Sequence, residues 1–397
     1  MDMDTTKGHD AIRPAVPQFA ALTGLRALAA LGVLFCHFSE IDAEKNIYFN
    51  WGIFDPLLIH GAVGVDVFFV LSGFILTLVY RDKFSQSLNA GDFTAFMRYR
   101  FARLYPVHIV TMAVMLVLFT IGKRLGTVPH HREAFTPLSI AANLTMTHAW
   151  FPGLVSAING PAWSISAEWF AYLVFPLAYF LLRRTGSLWP WVVIVLASVL
   201  SFNYQGSNHL AQISIEFPVG MAAFEIYSRH KIKTGRWASL VPVGMILVST
   251  YLIAATDPAG PQKMSTGGHL RTGVILATAL LLVGLTSKRD ILGRVLSTRF
   301  AVYAGEISYS VYMCHWAAWT ALHKGLPHFF PGRSVPHVAI MIAAGLLTIA
   351  SSIICYHTIE IPGRIFLRNL RLERHKDLVQ APVGEVRSQT LPAKRVA

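Results

Sequence analysis

Two residues interrupt the apolar stretch LRALAALGVLFCHF (residues 25–38): Arg26 near its start and His37 at its end. An arginine binds anions through a planar fork of donors, and a histidine moves protons near neutral pH. An ionisable side chain inside an apolar run of membrane-spanning length is costly and marks a functional site by default. Eleven residues at about 100° each come to about 20° past three turns, so both side chains share one face. They stand about 16 Å apart along the axis, about half the thickness of the hydrocarbon layer.

Other residues extend the chemistry. GAVGVDVFFVLSGF carries Asp66 and PAWSISAEWF carries Glu168, both near the start of apolar runs. A carboxylate orients a histidine and stabilises its charged form, so His37, Glu168 and Asp66 form a candidate catalytic group. Each also has a structural reading: His37 as a packed, hydrogen-bonded residue, Asp66 as a helix cap, Glu168 as a complement to a helix dipole. FMRYRFARLYP brings Arg98, Arg100 and Arg103 to the start of another run, with Arg100 and Arg103 on one helix face. Guanidinium forks fit phosphate oxygens, although arginines at a membrane surface also serve as headgroup anchors. Cys36, Cys314 and Cys355 all lie in apolar runs without metal-ligand spacing, and no metal site is expected.

The elements that must position these residues are helices in a membrane. The chain has 397 residues, 54% hydrophobic and 14% charged, where soluble domains carry about 25% charged residues. Ten apolar runs predict spans at 21–38, 61–80, 104–122, 165–182, 188–203, 211–227, 238–255, 270–286, 302–323 and 336–358. The expected fold is therefore an all-α integral membrane protein of about ten transmembrane helices. Lys and Arg alternate between connecting segments at about three to one, which predicts both termini in the cytoplasm. That pattern accounts for the net charge of +13 as a topology signal, and no nucleic-acid partner is expected. No cleavable signal is expected in the polar leader 1–20. Residues 21–368 form the membrane domain, and 369–397 a basic, disordered cytoplasmic tail. The long outer segment 123–164 is expected to hold a short interfacial helix or to fold back over the bundle.

Depth then sorts the residues. Arg26, Arg98, Arg100 and Arg103 lie on the inner side, and His37, Asp66 and Glu168 on the outer side. A phosphate-rich ligand held inside and a proton-transfer group outside suit acyl-coenzyme A, whose long arm carries the thioester away from its phosphates. His37 would act on an acceptor hydroxyl as general base, or form an acyl-histidine as nucleophile. Two alternatives belong to other classes: a transporter of a polar or acylated metabolite, and a catalytically silent scaffold.

The motifs LTGLRALAALGVLFCHF, GVDVFFVLSGFIL, FMRYRFARLYP, PAWSISAEWFAYLVFP, ISYSVYMCHW and HTIEIPGRIF, in this order, resemble the acyltransferase-3 family of bacterial membrane O-acyltransferases. The resemblance covers about residues 20 to 368. It implies a ten-helix core that moves an acyl group, often acetyl, from cytoplasmic acyl-CoA to a carbohydrate or other hydroxyl acceptor. It further implies a multi-pass protein of the bacterial inner membrane, with membrane lipid and polysaccharide-assembly proteins as neighbours and no permanently bound cofactor. Roles follow for Arg26 and His37, for the Arg-x-x-Arg element at Arg100 and Arg103, and for the motif from Trp163 to Glu168. Trp163, Ser164 and His315 are candidate substrate contacts, with packing the other reading of His315. Glu360 and Arg364 are read as an ion pair at the cytoplasmic end of the last span. The family often has glycine at the position of Ala27, and the hydrolase-like domain appended in some relatives is not expected here.

Overall fold

The computed structural model describes residues 19–42, 47–126, 135–151, 155, 157–203, 208–256, 268–330 and 335–370. The leader through residue 18 and the tail from residue 371 lie outside them. Each of the ten predicted ranges falls on a helix. These are α1 (Ala20–Phe38), α3 (Val63–Gln86), α4 (Ala90–Arg124), α6 (Trp163–Arg184), α7 (Trp189–Asn203), α8 (His209–His230), α9 (Leu240–Thr256), α10 (Gly268–Leu285), α12 (Arg299–Phe329) and α13 (His337–Cys355). Shorter helices are α2 (Asp55–Ile59), α5 (Pro137–Leu144), α11 (Ile291–Leu296) and α14 (Ile361–Asn369). Helix α5 lies in the segment where a short interfacial helix was expected. The one sheet among the described residues is a small antiparallel hairpin, β1 (Glu40–Asp42) with β2 (Ile47–Tyr48), after α1.

Five helical stretches are long and apolar enough to cross a membrane, and three shorter apolar helices accompany them. The outward faces support the same solvent. On α7, Val192, Val195, Leu196 and Val199 are exposed, and on α13, Ile342, Leu346 and Ile349. Asp66, Glu216, Ser308 and Glu360 are buried instead. Contiguous apolar surface around a partly polar interior is the reverse of a water-facing surface and fits lipid.

Helix starts carry local signals. Asn89 accepts from the backbone N–H of Asp92 to begin α4, and Thr298 accepts from that of Ala301 to begin α12. The end of α13 widens into one π-helical turn, Tyr356–Glu360, before α14 continues. Pro362 follows at once and cannot donate to the preceding turn, so an irregular ladder is tolerated there.

Helix α3 packs against α1, α6, α8 and α10, and α1 lies along α12. The α1–α12 contact sets the site, because α1 carries Arg26 and His37. It depends on Gly305, where a Cβ would fall on the backbone carbonyl of Thr23. Small residues of this kind let helix backbones approach in a membrane, where helices gain little from hydrophobic burial against one another. Gly305→Val should push the two helices apart and destabilise the fold by about 1–3 kcal/mol, as overpacking does. Thermal unfolding in detergent would show a lowered midpoint; an unchanged midpoint would mean that the contact is loose.

Candidate active site

The candidate side chains gather at the two ends of α1. At the end bearing His37, its Nδ1 lies 3.0 Å from Nε2 of His315 on α12. The two rings stack at 5.1 Å, and Trp316 meets His37 edge-on at 5.0 Å. One of the two nitrogens must donate and the other accept, so the imidazoles share a single hydrogen.

About 16 Å away along α1, Arg26 lines a cavity of about 110 Å³ together with Arg100 and Arg103 of α4. Glu168 of α6 and Ser72 of α3 line it as well. Ser72 Oγ donates to Glu168 Oε1 at 2.7 Å, and the Tyr172 hydroxyl donates to the same oxygen. Arg100 lies over the rings of Tyr80, Phe96 and Tyr172 and donates to the Tyr80 hydroxyl at 3.2 Å. Three guanidiniums against one carboxylate leave the cavity wall positively charged.

The cavity extends from this cluster towards the histidines. Val65, Phe68, Ser164 and Tyr312 line it too, and the Tyr312 ring stands 5.9 Å from that of His315. Ser164 Oγ and the Tyr312 hydroxyl are 2.8 Å apart. A continuous lining therefore joins the arginines to a tyrosine in contact with the histidine pair.

The carboxylates expected beside His37 are bonded elsewhere. Asp66 is fully buried, with Arg271 Nε of α10 at 2.7 Å from its Oδ1 and Gln212 Nε2 at 3.5 Å. Arg271 also lies 3.5 Å from Glu216 of α8. A charge at this depth needs a charged or hydrogen-bonding partner, and Asp66 finds one on α10 while Glu168 finds two hydroxyls. Trp163 stacks on His209, with ring centroids 3.9 Å apart. Arg98 lies over the Tyr99 ring at 5.6 Å rather than in the cavity lining. Glu360 accepts from Ser310 Oγ at 2.7 Å and from Arg364 at 3.3 Å, the pairing expected for it.

Sequence reasoning left His315 open between contact and packing, and did not find Ser72, Tyr172, Tyr309, Tyr312, Glu216 or Arg271. Spacing held a usable signal. The lining residues recur every three or four positions as Val65, Phe68, Ser72 and Ile75 on α3, and on α12 Ser308 and Tyr309 stand four and three positions before Tyr312. Among the described residues, no cluster of His, Cys, Asp and Glu could hold a metal ion.

A helical membrane bundle with an arginine-lined internal cavity and a histidine pair suits group transfer within the bilayer. The profile described as an acyltransferase domain matches residues 19–357, and the chain belongs to this family, acyltransferase-3. It is an acyltransferase acting on groups other than aminoacyl groups. It is 29% identical to the acyltransferase MdmB of Streptomyces mycarofaciens, over 76% of this chain and 79% of that protein. It is 24% identical to the putative peptidoglycan O-acetyltransferase YrhL of Bacillus subtilis, over 90% of this chain and 57% of that one. For the O-acetyltransferase OatA of Staphylococcus aureus the values are 23%, 86% and 57%. The chain thus spans little more than half the length of the last two relatives. No solved structure matches it.

The Asp66 network makes a testable distinction. Arg271→Met would leave Asp66 and Glu216 buried without their cation and should destabilise the protein by about 3–5 kcal/mol. Melting of the purified variant in detergent reads this directly, and a native-like midpoint would release Asp66 for a catalytic role.

Proposed function

We propose that this protein is an O-acyltransferase of the bacterial inner membrane that moves a short acyl group, in the first place acetyl, from acyl-CoA to a hydroxyl of a carbohydrate-type acceptor. The observation that carries the reading is the cavity joining Arg26, Arg100 and Arg103 to Tyr312 beside the histidine pair. Pockets that enclose a whole drug-sized ligand measure about 300–1,000 Å³. At about 110 Å³ the cavity has room for a thin arm and a small acyl group, and the nucleotide would stay at its mouth. The arginines are assigned to the donor's phosphates by charge and fork geometry.

His37 is assigned as the general base. To accept a proton at Nε2 it must carry hydrogen on Nδ1 and donate it to His315 Nε2 at 3.0 Å. His315 would then carry its own hydrogen on Nδ1. His315 thus acts as the positioning residue for His37, in the place a carboxylate was expected to take. The acceptor oxygen attacks the thioester carbonyl as its proton passes to His37. The tetrahedral intermediate collapses with loss of the C–S bond, and the departing thiolate takes up the proton. Products are the ester and free CoA. Trp316 beside His37, with Trp51 and Phe35 nearby on the same end, offers ring faces suited to a sugar. Glu168, held by Ser72 and Tyr172, is assigned to orienting Arg26 at the donor end. The O-acetyltransferase names of two relatives support acetyl transfer to a hydroxyl, and one of them names peptidoglycan. Family membership favours transfer over the transport and scaffold alternatives.

Two variants separate the ends of the site. His37→Ala should lower acceptor-dependent release of CoA thiol by about 10²–10⁴-fold, the usual contribution of a general base. The substituted protein should still melt as the wild type does; full activity would remove His37 from the chemistry. Arg100→Gln with Arg103→Gln should raise KM for acetyl-CoA at least tenfold, since hydrogen bonds to charged groups contribute about 1.5–3 kcal/mol each. An unchanged KM would return these arginines to surface anchoring.

A further inference from the structure

Helix α14 brings two arginines towards this cavity that the proposed reaction has not used. Arg364 and Arg368 are four residues apart and so share a helix face. Helix α14 packs on α4, the helix of Arg98, Arg100 and Arg103, and the approach is close at Gly363. A Cβ there would stand 2.7 Å from Pro106 Cβ. The π-helical turn just before α14 adds a residue to one turn, which rotates the following side chains by about 100° relative to an uninterrupted α13.

The result is a second wall of guanidinium groups. Arg364 is anchored by Glu360 at 3.3 Å and faces the charge of Arg103. Arg368 faces the charges of Arg100 and Arg103. Its Cζ lies 5.2 Å from the centre of the Tyr99 ring, which Arg98 also covers, at 5.6 Å. Of the carboxylates near these arginines, Glu360 pairs with Arg364, while Glu168 lines the cavity with Arg26, Arg100 and Arg103. Arg26, Arg100, Arg103, Arg364 and Arg368 are thus gathered at one end of the bundle, with Arg98 and Arg368 on the shared Tyr99 ring. The Nε–H groups of Arg98, Arg100 and Arg368 are buried and find no acceptor among the described residues. Buried donors without acceptors and repelling like charges are both costly, and both costs fall when an anion with several oxygens binds between them.

We infer that Arg364 and Arg368 form the second wall of an anion site at the mouth of the cavity, opposite Arg100 and Arg103, which grips the phosphate groups of the donor. This rests on the donor reading given above. A phosphodiester headgroup of an anionic lipid has the same chemistry, so the two sources need separate arms in the test.

The experiment is CoA titration of the full-length protein in nanodiscs of zwitterionic lipid, with inorganic pyrophosphate as competitor. Arg368→Gln should weaken CoA binding about tenfold, the loss of one charge-assisted hydrogen bond, and weaken competition by pyrophosphate in parallel. Arg368→Lys, which keeps the charge and loses the fork, should fall between Arg368→Gln and wild type. The lysine variant also serves should the glutamine variant fold poorly, and both melting midpoints are read beside the wild type. Wild-type binding with unchanged affinity in both variants would overturn the inference and leave the donor reading standing. In a second arm with phosphatidylglycerol added to the nanodiscs, unchanged CoA affinity of the variants with loss of the lipid's effect seen in wild type would assign the wall to lipid headgroups and overturn the inference as well. Failure of the wild type to bind CoA would overturn the donor reading and this inference together.

Discussion

The structure depends on how ionisable groups are held inside an apolar bundle. Buried and half-buried carboxylates in the bundle are met by partners from other helices. Asp66 of α3 and Glu216 of α8 meet Arg271 of α10, and Glu168 of α6 meets Ser72 of α3. Glu225 of α8 does the same with Arg183 of α6. Such pairs contribute little net stability compared with apolar packing, but breaking one leaves a charge that the interior cannot solvate. They therefore act as constraints on register. Helices α3, α6, α8 and α10 must sit where these partners meet, and α3 and α6, so placed, wall the cavity together with α1, α4 and α12.

Within that frame the two ends of the site have different electrostatic character. The arginine end keeps an excess of positive charge, which only an anion or water can relieve. The histidine end holds two imidazoles that share one hydrogen, and its neighbours are aromatic rings. A donor with charged phosphates and an uncharged arm matches this gradient. In the proposed reaction its phosphates would stay where the arginines are, and its thioester would enter a region poor in charge, where a proton transfer competes less with water.

Local irregularities serve the same placement. Gly305 lets α1 lie against α12, which is the contact that brings His37 to His315. The π-helical turn at Tyr356–Glu360 gives Glu360 access to Ser310 and redirects α14 along α4. Neither feature adds a strong interaction of its own. Each removes an obstacle or changes a direction, and the side chains that matter then fall within reach of one another.

Much was legible in the sequence. Apolar runs located ten helices because membrane-length hydrophobicity is a property of each segment alone. Arg26, His37, Asp66, Glu168 and the Arg100–Arg103 pair stood out because ionisable residues in such segments are conspicuous without any neighbour. The motifs in order pointed to a family that the profile match then showed. Depth was legible only in part: Glu168, expected at the level of His37, lines the cavity beside Arg26, Arg100 and Arg103 at the other end of α1. Partnership was not legible, because it depends on how each helix is rotated about its own axis and which helices are adjacent. A shared depth suggested Asp66 and Glu168 as partners for His37; the packed helices instead pair Asp66 with Arg271, Glu168 with Ser72 and Tyr172 at the Arg26 end, and His37 with His315. The sequence determined which segments form apolar helices and which ionisable residues they carry; only the tertiary structure decided which of those residues meet, because partner choice is set by the packing of separate helices rather than by periodicity within one.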